Sequence, residues 1–159
     1  MTTPRIAAAA ALALATLAGP AAHAAPPDSA GLELGLFSVS LTVKDIRASK
    51  AFYEKLDFRQ VGGKLEQNWV VLQNGEVRIG LFQGMFEKNL LTFNPGWNKD
   101  KQALKDFQDV RQLQRRLREK GIQPVARADE AGSGPAYFTI TDPDGNTLLF
   151  DQHVASPAR

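Results

Sequence analysis

The sequence predicts an α+β domain built from two halves that each have the element order β-α-β-β-β. Three kinds of pattern predict this order: stretches in which apolar and polar residues alternate, two stretches with apolar residues at helical spacing after an aspartate, and turn-forming clusters of Asn, Asp, Pro and Gly. Two halves with the same element order, each roughly 50–60 residues long, suggest duplication of one structural unit. The halves share element order rather than residue identity.

The first half begins with an alternating strand over residues 36–43. Asp45 is placed to cap the next helix, in which apolar residues recur at helical spacing between Ile46 and Leu56. A tight hairpin is predicted at Asn74-Gly75, because both residues tolerate positive φ angles. The three strands that complete this half are expected at residues 58–61, 69–73 and 77–83.

The second half is expected to repeat this order. A short strand over residues 90–93 ends in the turn-forming segment 94–96. Asp106 is placed to cap a helix with one apolar face, and Gly121 is placed to end it. Three strands are then expected at residues 122–126, 137–141 and 147–153, the last two joined by a turn at 142–146.

The first 24 residues differ in composition from the rest of the chain. Their apolar run is shorter than the ~20 residues that span a bilayer, and Ala22-His23-Ala24 has the small residues of an A-x-A cleavage signature. We therefore expect residues 1–24 to be a secretory signal peptide that is cleaved near Ala24-Ala25. The Pro- and Gly-containing residues 25–35 are expected to form a flexible linker, and residues 36–154 the folded domain, which is then periplasmic or secreted.

The composition narrows the function classes. A net charge of +2 is too near balance to predict nucleic acid as a partner, and no membrane span is expected. Cysteine is absent, which excludes thiol catalysis, disulfides and zinc–thiolate sites. Removal of the signal peptide leaves His153 as the single histidine of the mature chain.

Three segments together resemble the vicinal oxygen chelate superfamily, the glyoxalase/bleomycin resistance/dioxygenase group. They are a strand ending in Val43-Lys44-Asp45, the helical segment AFYEKLDF at 51–58 and the turn DPDGN at 142–146. The resemblance implies two βαβββ modules that form a curled mixed sheet around a central cavity, with the helices outside. It also implies a divalent metal that two substrate oxygens chelate in active members. Drug-sequestering members are usually dimers, so a homodimer is an expectation here.

The same resemblance assigns the usual metal-ligand positions to Ser38, Gln83, Leu90 and Leu149. Leucine has no lone pair to donate, and neutral oxygens are weak ligands. We therefore expect no metal cofactor at the usual positions. A divalent metal would need a rebuilt site, for which Asp151 and His153 with Gln83 are the candidates.

Asp151 and His153 share one face of the last predicted strand, and the resemblance turns that face toward the cavity. They are the candidate catalytic residues as an acid/base pair, the alternatives being a salt link or simple solvation. Trp97, after the rigid turn, is expected either to stack on a planar ligand or to cover the core. Hydroxyl and amide side chains should complete a polar cavity unless they bond to one another. The candidate ligand-binding residues are Ser38, Ser40, Thr42, Gln83, Thr92, Asn94, Trp97, Tyr137 and Thr139.

Three functions follow as hypotheses. The favoured one is an exported protein that binds a small molecule without the usual metal. The second is a glyoxalase-type lyase or isomerase, or a dioxygenase-like enzyme, with a rebuilt metal site or with His153 as a metal-free base. The third is an interaction module in which the cavity has no ligand.

Overall fold

A computed structural model describes residues 31–158, so the predicted signal peptide and most of the predicted linker lie outside the described residues. The described part contains one mixed sheet and two α-helices. Neither helix is long and apolar enough to cross a membrane. The elements are β1 (Leu36–Thr42), α1 (Ile46–Glu54), β2 (Arg59–Lys64), a 3₁₀ turn (Leu65–Gln67), β3 (Trp69–Asn74), β4 (Val77–Phe82), β5 (Leu90–Asn94), α2 (Val110–Glu119), β6 (Ala136–Thr141) and β7 (Thr147–Gln152).

The seven strands lie in the order β2-β3-β4-β1-β5-β7-β6. In each half the first strand is parallel to the last, β1 to β4 and β5 to β7. The two halves meet where β1 and β5 pair antiparallel, with Ser38 opposite Thr92. The sheet is curled and open, and this arrangement confirms the predicted α+β class with a curled mixed sheet.

The predicted strand at 122–126 is wrong as a regular strand, so the second half has one strand fewer than expected. Only two strand-like bonds form there, from Val125 N to the Thr139 carbonyl at 2.8 Å and from Thr139 N to the Ala126 carbonyl at 3.1 Å. The Ile122 amide instead donates to Leu117 O at 2.9 Å, in the termination of α2. Pro124 has no amide to donate to a ladder. Too few donors remain for a strand.

Both helices begin at an aspartate, but α2 begins at Asp109 and not at the predicted Asp106. Asp109 accepts from Arg111 N at 2.8 Å, while its own amide donates to Gln112 Oε1 at 3.2 Å. This reciprocal capping box favours Asp109 over the earlier aspartate. Asp45 caps α1 as predicted, accepting from the amides two and three residues later.

The helices cover the outer face of the sheet, one over each half. Two separate groups of buried apolar residues result, one joining Ile46 of α1 to Leu72 of the sheet and one joining Leu113 of α2 to Phe150 of the sheet. The apolar face expected for α1 is only partly buried, since Phe52 and Leu56 are more than half exposed. The opposite, concave face of the sheet is left uncovered by helices.

Both predicted hairpins are present, but the first turn lies one residue later than the predicted Asn74-Gly75. Asn74 pairs with Val77, so the first turn lies at Gly75-Glu76, with Gly75 at a φ of 56°. In the second, the Asp142 carboxylate accepts hydrogen bonds from Asp144 N at 3.0 Å and from Asn146 N at 2.8 Å. Hydrogen bonds from Asn146, its side chain first, lower the pKa of Asp142. This local network makes the DPDGN segment a tight turn.

Candidate functional site

The concave face of the sheet encloses a cavity of about 380 Å³. Strands of both halves line it, because β1 and β5 cross its floor side by side and β3, β4 and β7 flank them. The volume is that of an ordinary small-molecule site. The seven predicted site residues that line the cavity are Ser38, Ser40, Thr92, Asn94, Trp97, Asp151 and His153.

Several polar groups on the floor bond to one another. The Ser40 and Thr92 hydroxyls lie 2.9 Å apart, on neighbouring strands. Asn94 Nδ2 donates to the backbone oxygen of Asp151 at 2.9 Å. These bonds hold β1, β5 and β7 in register and leave the floor less polar than the sequence alone suggests.

Four predicted site residues do not line this cavity. Thr42 Oγ1 donates to Phe86 O at 2.9 Å and so anchors the loop after β4. Gln83 Oε1 accepts from Ile46 N at 2.9 Å, at the start of α1. Tyr137 and Thr139 lie on β6, the edge strand, where Tyr137 is exposed and Thr139 Oγ1 accepts from the backbone of the preceding segment.

Asp151 and His153 lie together at the rim of the cavity. Asp151 Oδ2 is 3.1 Å from His153 Nε2, and the imidazole stacks on Trp97 with ring centroids 4.4 Å apart and planes 13° from parallel. As the two-residue alternation of a strand predicts, the side chains of Asp151 and His153 lie on the same face. Trp97 therefore contacts a candidate site residue rather than only covering the core.

The cavity residues do not fit the divalent metal that the resemblance implies. Leu90 and Leu149 line the cavity at two of the ligand positions that the resemblance assigns. Phe82, the last residue of β4, faces inward, while the side chain of Gln83 bonds to Ile46 N instead. Hydrocarbon side chains offer a metal no donor atom. Among residues 31–158 no three His, Cys, Asp or Glu side chains lie together as a metal site would require.

Two cations that the sequence reasoning missed also line the cavity, Arg78 and Lys101. On β4, Ile79 and Leu81 pack in the apolar core on the α1 side of the sheet. Arg78, Gly80 and Phe82 alternate with them and lie on the cavity face. The period of two could therefore have placed Arg78 in the cavity. Lys101 carries no such signal, because an irregular loop over residues 97–103 brings it there.

Arg78 is a buried cation whose hydrogen bonding is incomplete. Its side chain is only 7% exposed. Nη2 donates to Gln73 Oε1 at 2.5 Å and to Lys99 O at 2.8 Å, while the buried Nη1 has no partner in the described part of the chain. Burial lowers the pKa of Arg78, and the charge of Asp100 opposes that shift. Burial also lowers the pKa of Lys101, and the positive charge of Arg78 lowers it further.

The other end of the cavity has an aromatic wall, formed by Trp69, Phe82 and Phe86. The Trp69 and Phe82 rings are stacked with centroids 6.4 Å apart, and Phe82 and Phe86 lie 5.0 Å apart. A Cβ at Gly80 would lie 2.5 Å from Phe82 Cε2, so the glycine gives the ring room to lie back over the strand. Arg78 and Phe82 are four residues apart on β4, roughly 13 Å at ~3.3 Å per residue.

Comparison with known proteins relates this fold to one family. The profile of the Glyoxalase/Bleomycin resistance protein/Dioxygenase superfamily matches residues 35–150. No curated protein matches the chain significantly. Many solved structures share the fold, and the three described next do so at identities too low to indicate a common activity.

The first is a glyoxalase/bleomycin resistance protein/dioxygenase superfamily member from Vibrio splendidus, 18% identical, with a TM-score of 0.51 over 73% of this chain and 97% of that one. The second is described as an NAD-dependent benzaldehyde dehydrogenase from Legionella pneumophila, 20% identical, with a TM-score of 0.56 over 74% and 98%. The third is a Streptomyces coelicolor methylmalonyl-CoA epimerase variant in complex with 2-nitronate-propionyl-CoA, 15% identical, with a TM-score of 0.51 over 79% and 100%.

Proposed function

Because the chain belongs to the glyoxalase/bleomycin resistance protein/dioxygenase superfamily, we propose that it binds a small organic molecule in its concave cavity without the usual divalent metal. The observation that carries this proposal is the lining of the cavity. Leu90 and Leu149 stand at ligand positions, and an aromatic wall lies beside them. Such a lining favours an apolar molecule over a chelated ion.

Saturable binding of N-phenyl-1-naphthylamine, a neutral dye that fluoresces in apolar surroundings, tests this proposal. We expect one saturable site per chain in the purified protein. Leu149→Phe fills the cavity and should weaken binding about tenfold, an effect of the size that one misfitting apolar group has in a pocket. Val125→Phe, a matched change at an exposed position, should leave binding unchanged. Equal binding by both variants, or no saturation, would contradict the proposal.

The metal-free part of the proposal has its own test. The purified protein is equilibrated with zinc, nickel, manganese or iron(II), freed of excess ion and analysed for metal. We expect less than about a tenth of an equivalent of each, as for a chain without a preformed ligand set. Near-stoichiometric metal that is lost on replacing Asp151 or His153 would establish a rebuilt site instead.

A second candidate function is catalysis by proton transfer, favoured by the 3.1 Å contact between Asp151 and His153 at the cavity rim. In it His153 acts as a base toward a bound substrate, and Asp151 orients the imidazole. Turnover of the hemithioacetal of methylglyoxal and glutathione is the readout. The candidate requires turnover by the unmodified protein that His153→Gln abolishes without loss of dye binding. Absent turnover, or equal turnover by the variant, rules it out.

Export of the protein is part of the proposal and rests on the sequence of residues 1–24. Expression of the full chain in a bacterial host, followed by fractionation and N-terminal sequencing, tests it. We expect a periplasmic or secreted form that begins at Ala25. Replacing Ala22 and Ala24 by Glu should block cleavage. A cytoplasmic chain that keeps its first residues would contradict export.

The expected homodimer stays a prediction, which sedimentation of the same sample tests.

A further inference from the structure

We propose that the molecule bound in this cavity is a small organic carboxylate with an aromatic or apolar body, and that Arg78 and Lys101 hold its carboxylate. This inference rests on the proposed function, since it names the class of ligand for the same cavity. It is carried by the incomplete hydrogen bonding of Arg78, by the lack of an ion pair from Arg78 or Lys101 to any described carboxylate and by the aromatic wall at the other end.

The guanidinium of Arg78 lacks the partner that its burial requires. A buried charge is costly unless it is paired and hydrogen-bonded, and Nη1 has no acceptor among the described residues. Its two existing bonds use only Nη2 and reach a neutral amide oxygen and a backbone oxygen. A carboxylate matches the unused part of the planar guanidinium in both charge and shape.

Lys101 brings a second positive charge to the same end of the cavity. The loop that presents it is braced by Asn98, whose Oδ1 accepts from the amides of Asp100 and Gln102 at 2.9 Å each. Arg78 also holds this loop, through Lys99 O. Lys101 Nζ lies 6.0 Å from the centroid of Trp97, and the backbone of Lys101 has a φ of 59°, a conformation that few side-chain-bearing residues adopt.

The nearby carboxylates among the described residues form no ion pair with these two cations, although the charge of Asp100 partly opposes the fall in the pKa of Arg78 that burial causes. Asp100 lies 3.8 Å from Lys99 Nζ and is largely exposed, and Asp151 is engaged with His153. No ion pair joins Arg78 or Lys101 to an acid within residues 31–158. The two positive charges therefore repel each other, and an anion between them would remove that repulsion.

The rest of the ligand is indicated by the opposite end of the cavity. Beyond Gly80 the wall consists of Trp69, Phe82 and Phe86, and Val71 lies beside Gly80 on the neighbouring strand. These side chains offer stacking and apolar contact but no further cation. A molecule with one anionic group and an apolar body matches this arrangement better than a polyphosphate or a sugar does.

Calorimetric titration with 2-naphthoate and with its neutral analogue 2-naphthamide tests the inference. The two probes have the same aromatic body and differ in charge. We expect the unmodified protein to bind naphthoate about tenfold or more tightly than naphthamide, the difference that hydrogen bonds to a charged group produce. Naphthoate should also displace N-phenyl-1-naphthylamine.

Arg78→Gln and Lys101→Gln should each weaken naphthoate binding about tenfold and leave naphthamide binding unchanged. Arg47→Gln, which removes an exposed cation from α1, is the matched control and should bind like the unmodified protein. If Arg78→Gln does not fold, as judged by circular dichroism, Lys101→Gln on the loop still tests the anchor.

The outcomes separate the anchor from the proposed function. Equal affinity for naphthoate and naphthamide, with dye binding intact, would overturn the carboxylate anchor and leave a neutral ligand. A preference for naphthoate that survives in both variants would also overturn it, because the charge would then be recognised elsewhere. Failure of the unmodified protein to bind the dye at all would overturn the proposed function itself.

Discussion

The described part of the chain contains two buried arginines in opposite situations, Arg78 in the concave cavity and Arg111 at the start of α2. Arg111 forms an ion pair with Asp109 at 3.4 Å and donates to Asp129 O at 2.7 Å and to Gly134 O at 3.0 Å. Arg78 has no carboxylate partner, and one of its terminal nitrogens has no partner at all in the described chain.

This difference separates an arginine whose charge is paired within the described fold from one whose charge is not. The network around Arg111 also includes Gln152, which donates to Asp109 at 2.9 Å and accepts from Val110 N at 2.7 Å, and Ser156, which donates to Asp109 at 2.6 Å. It joins α2 to β7 and to the segment that follows β7. A depression in the surface beside Arg111 is lined by groups of this network, so its polar lining already has partners.

The largest expected effect is a loss of stability on replacing the satisfied arginine. Arg111→Met leaves Asp109 buried beside an apolar side chain, so we expect the free energy of unfolding to fall by about 3 kcal/mol or more. Arg115→Met removes a half-exposed arginine of the same helix and should cost less than about 1 kcal/mol. Urea unfolding of the two variants measures both values. If both variants lost a similar, small amount of unfolding free energy, the Arg111 network would contribute little to stability.

Replacing the unsatisfied arginine should change stability much less. Arg78→Met removes two hydrogen bonds but also removes an unpaired buried charge, so the two effects oppose each other. We expect a net change in the free energy of unfolding within about 1 kcal/mol, together with naphthoate binding that is about tenfold weaker. The same urea titration checks this prediction. A loss as large as that of Arg111→Met would make Arg78 a structural residue too.

The smallest expected effect is on the pH dependence of unfolding. Burial would raise the pKa of Asp109, but hydrogen bonds from Ser156, Gln152 and Arg111 N, with the charge of Arg111, lower it overall. A carboxyl whose pKa is lower in the folded chain stabilises the fold above its unfolded pKa of about 3.9, and this stabilisation is lost as the pH falls through the folded value.

The free energy of unfolding should therefore decline as the pH falls below about 4. In this range Asp109 is protonated in the unfolded chain before it is protonated in the folded chain. Asp109→Asn keeps the helix cap but cannot titrate, so its unfolding free energy should depend less on pH in this range. Ser156→Ala removes one of the hydrogen bonds and should give an intermediate slope. Thermal melts between pH 2 and pH 7 measure the slopes, and identical slopes in all three proteins would contradict the assignment.

Most of the fold was predictable because its signals are local. The alternation in β1, the aspartate cap of α1 and the turns at Gly75 and residues 142–146 all depend on residues within a few positions of one another. Two of the errors arose because a competing local signal replaced the predicted one. A capping box moved the start of α2 to Asp109, and the termination of α2 took the amide of Ile122 from the expected strand.

The candidate site was only partly predictable. The hydroxyl-bearing face of β1 and the shared face of Asp151 and His153 follow from the strand period, and the same period applied to β4 would have placed Arg78 in the cavity. Gln83 was expected in the site because the resemblance aligned it there. The structure instead places its side chain on the amide of Ile46, a partner 37 residues away.

The sequence by itself determined the positions of most strands, helices and turns, the faces on which most polar and apolar residues fall, and the lack of charged donors at the metal positions that the resemblance assigns. Only the tertiary structure decided which buried charges have partners. Arg78 contacts a backbone oxygen 21 residues away, and Asp109 accepts a hydrogen bond from a side chain 43 residues away. Local spacing cannot report such pairings, because they depend on which distant segments the folded sheet brings together.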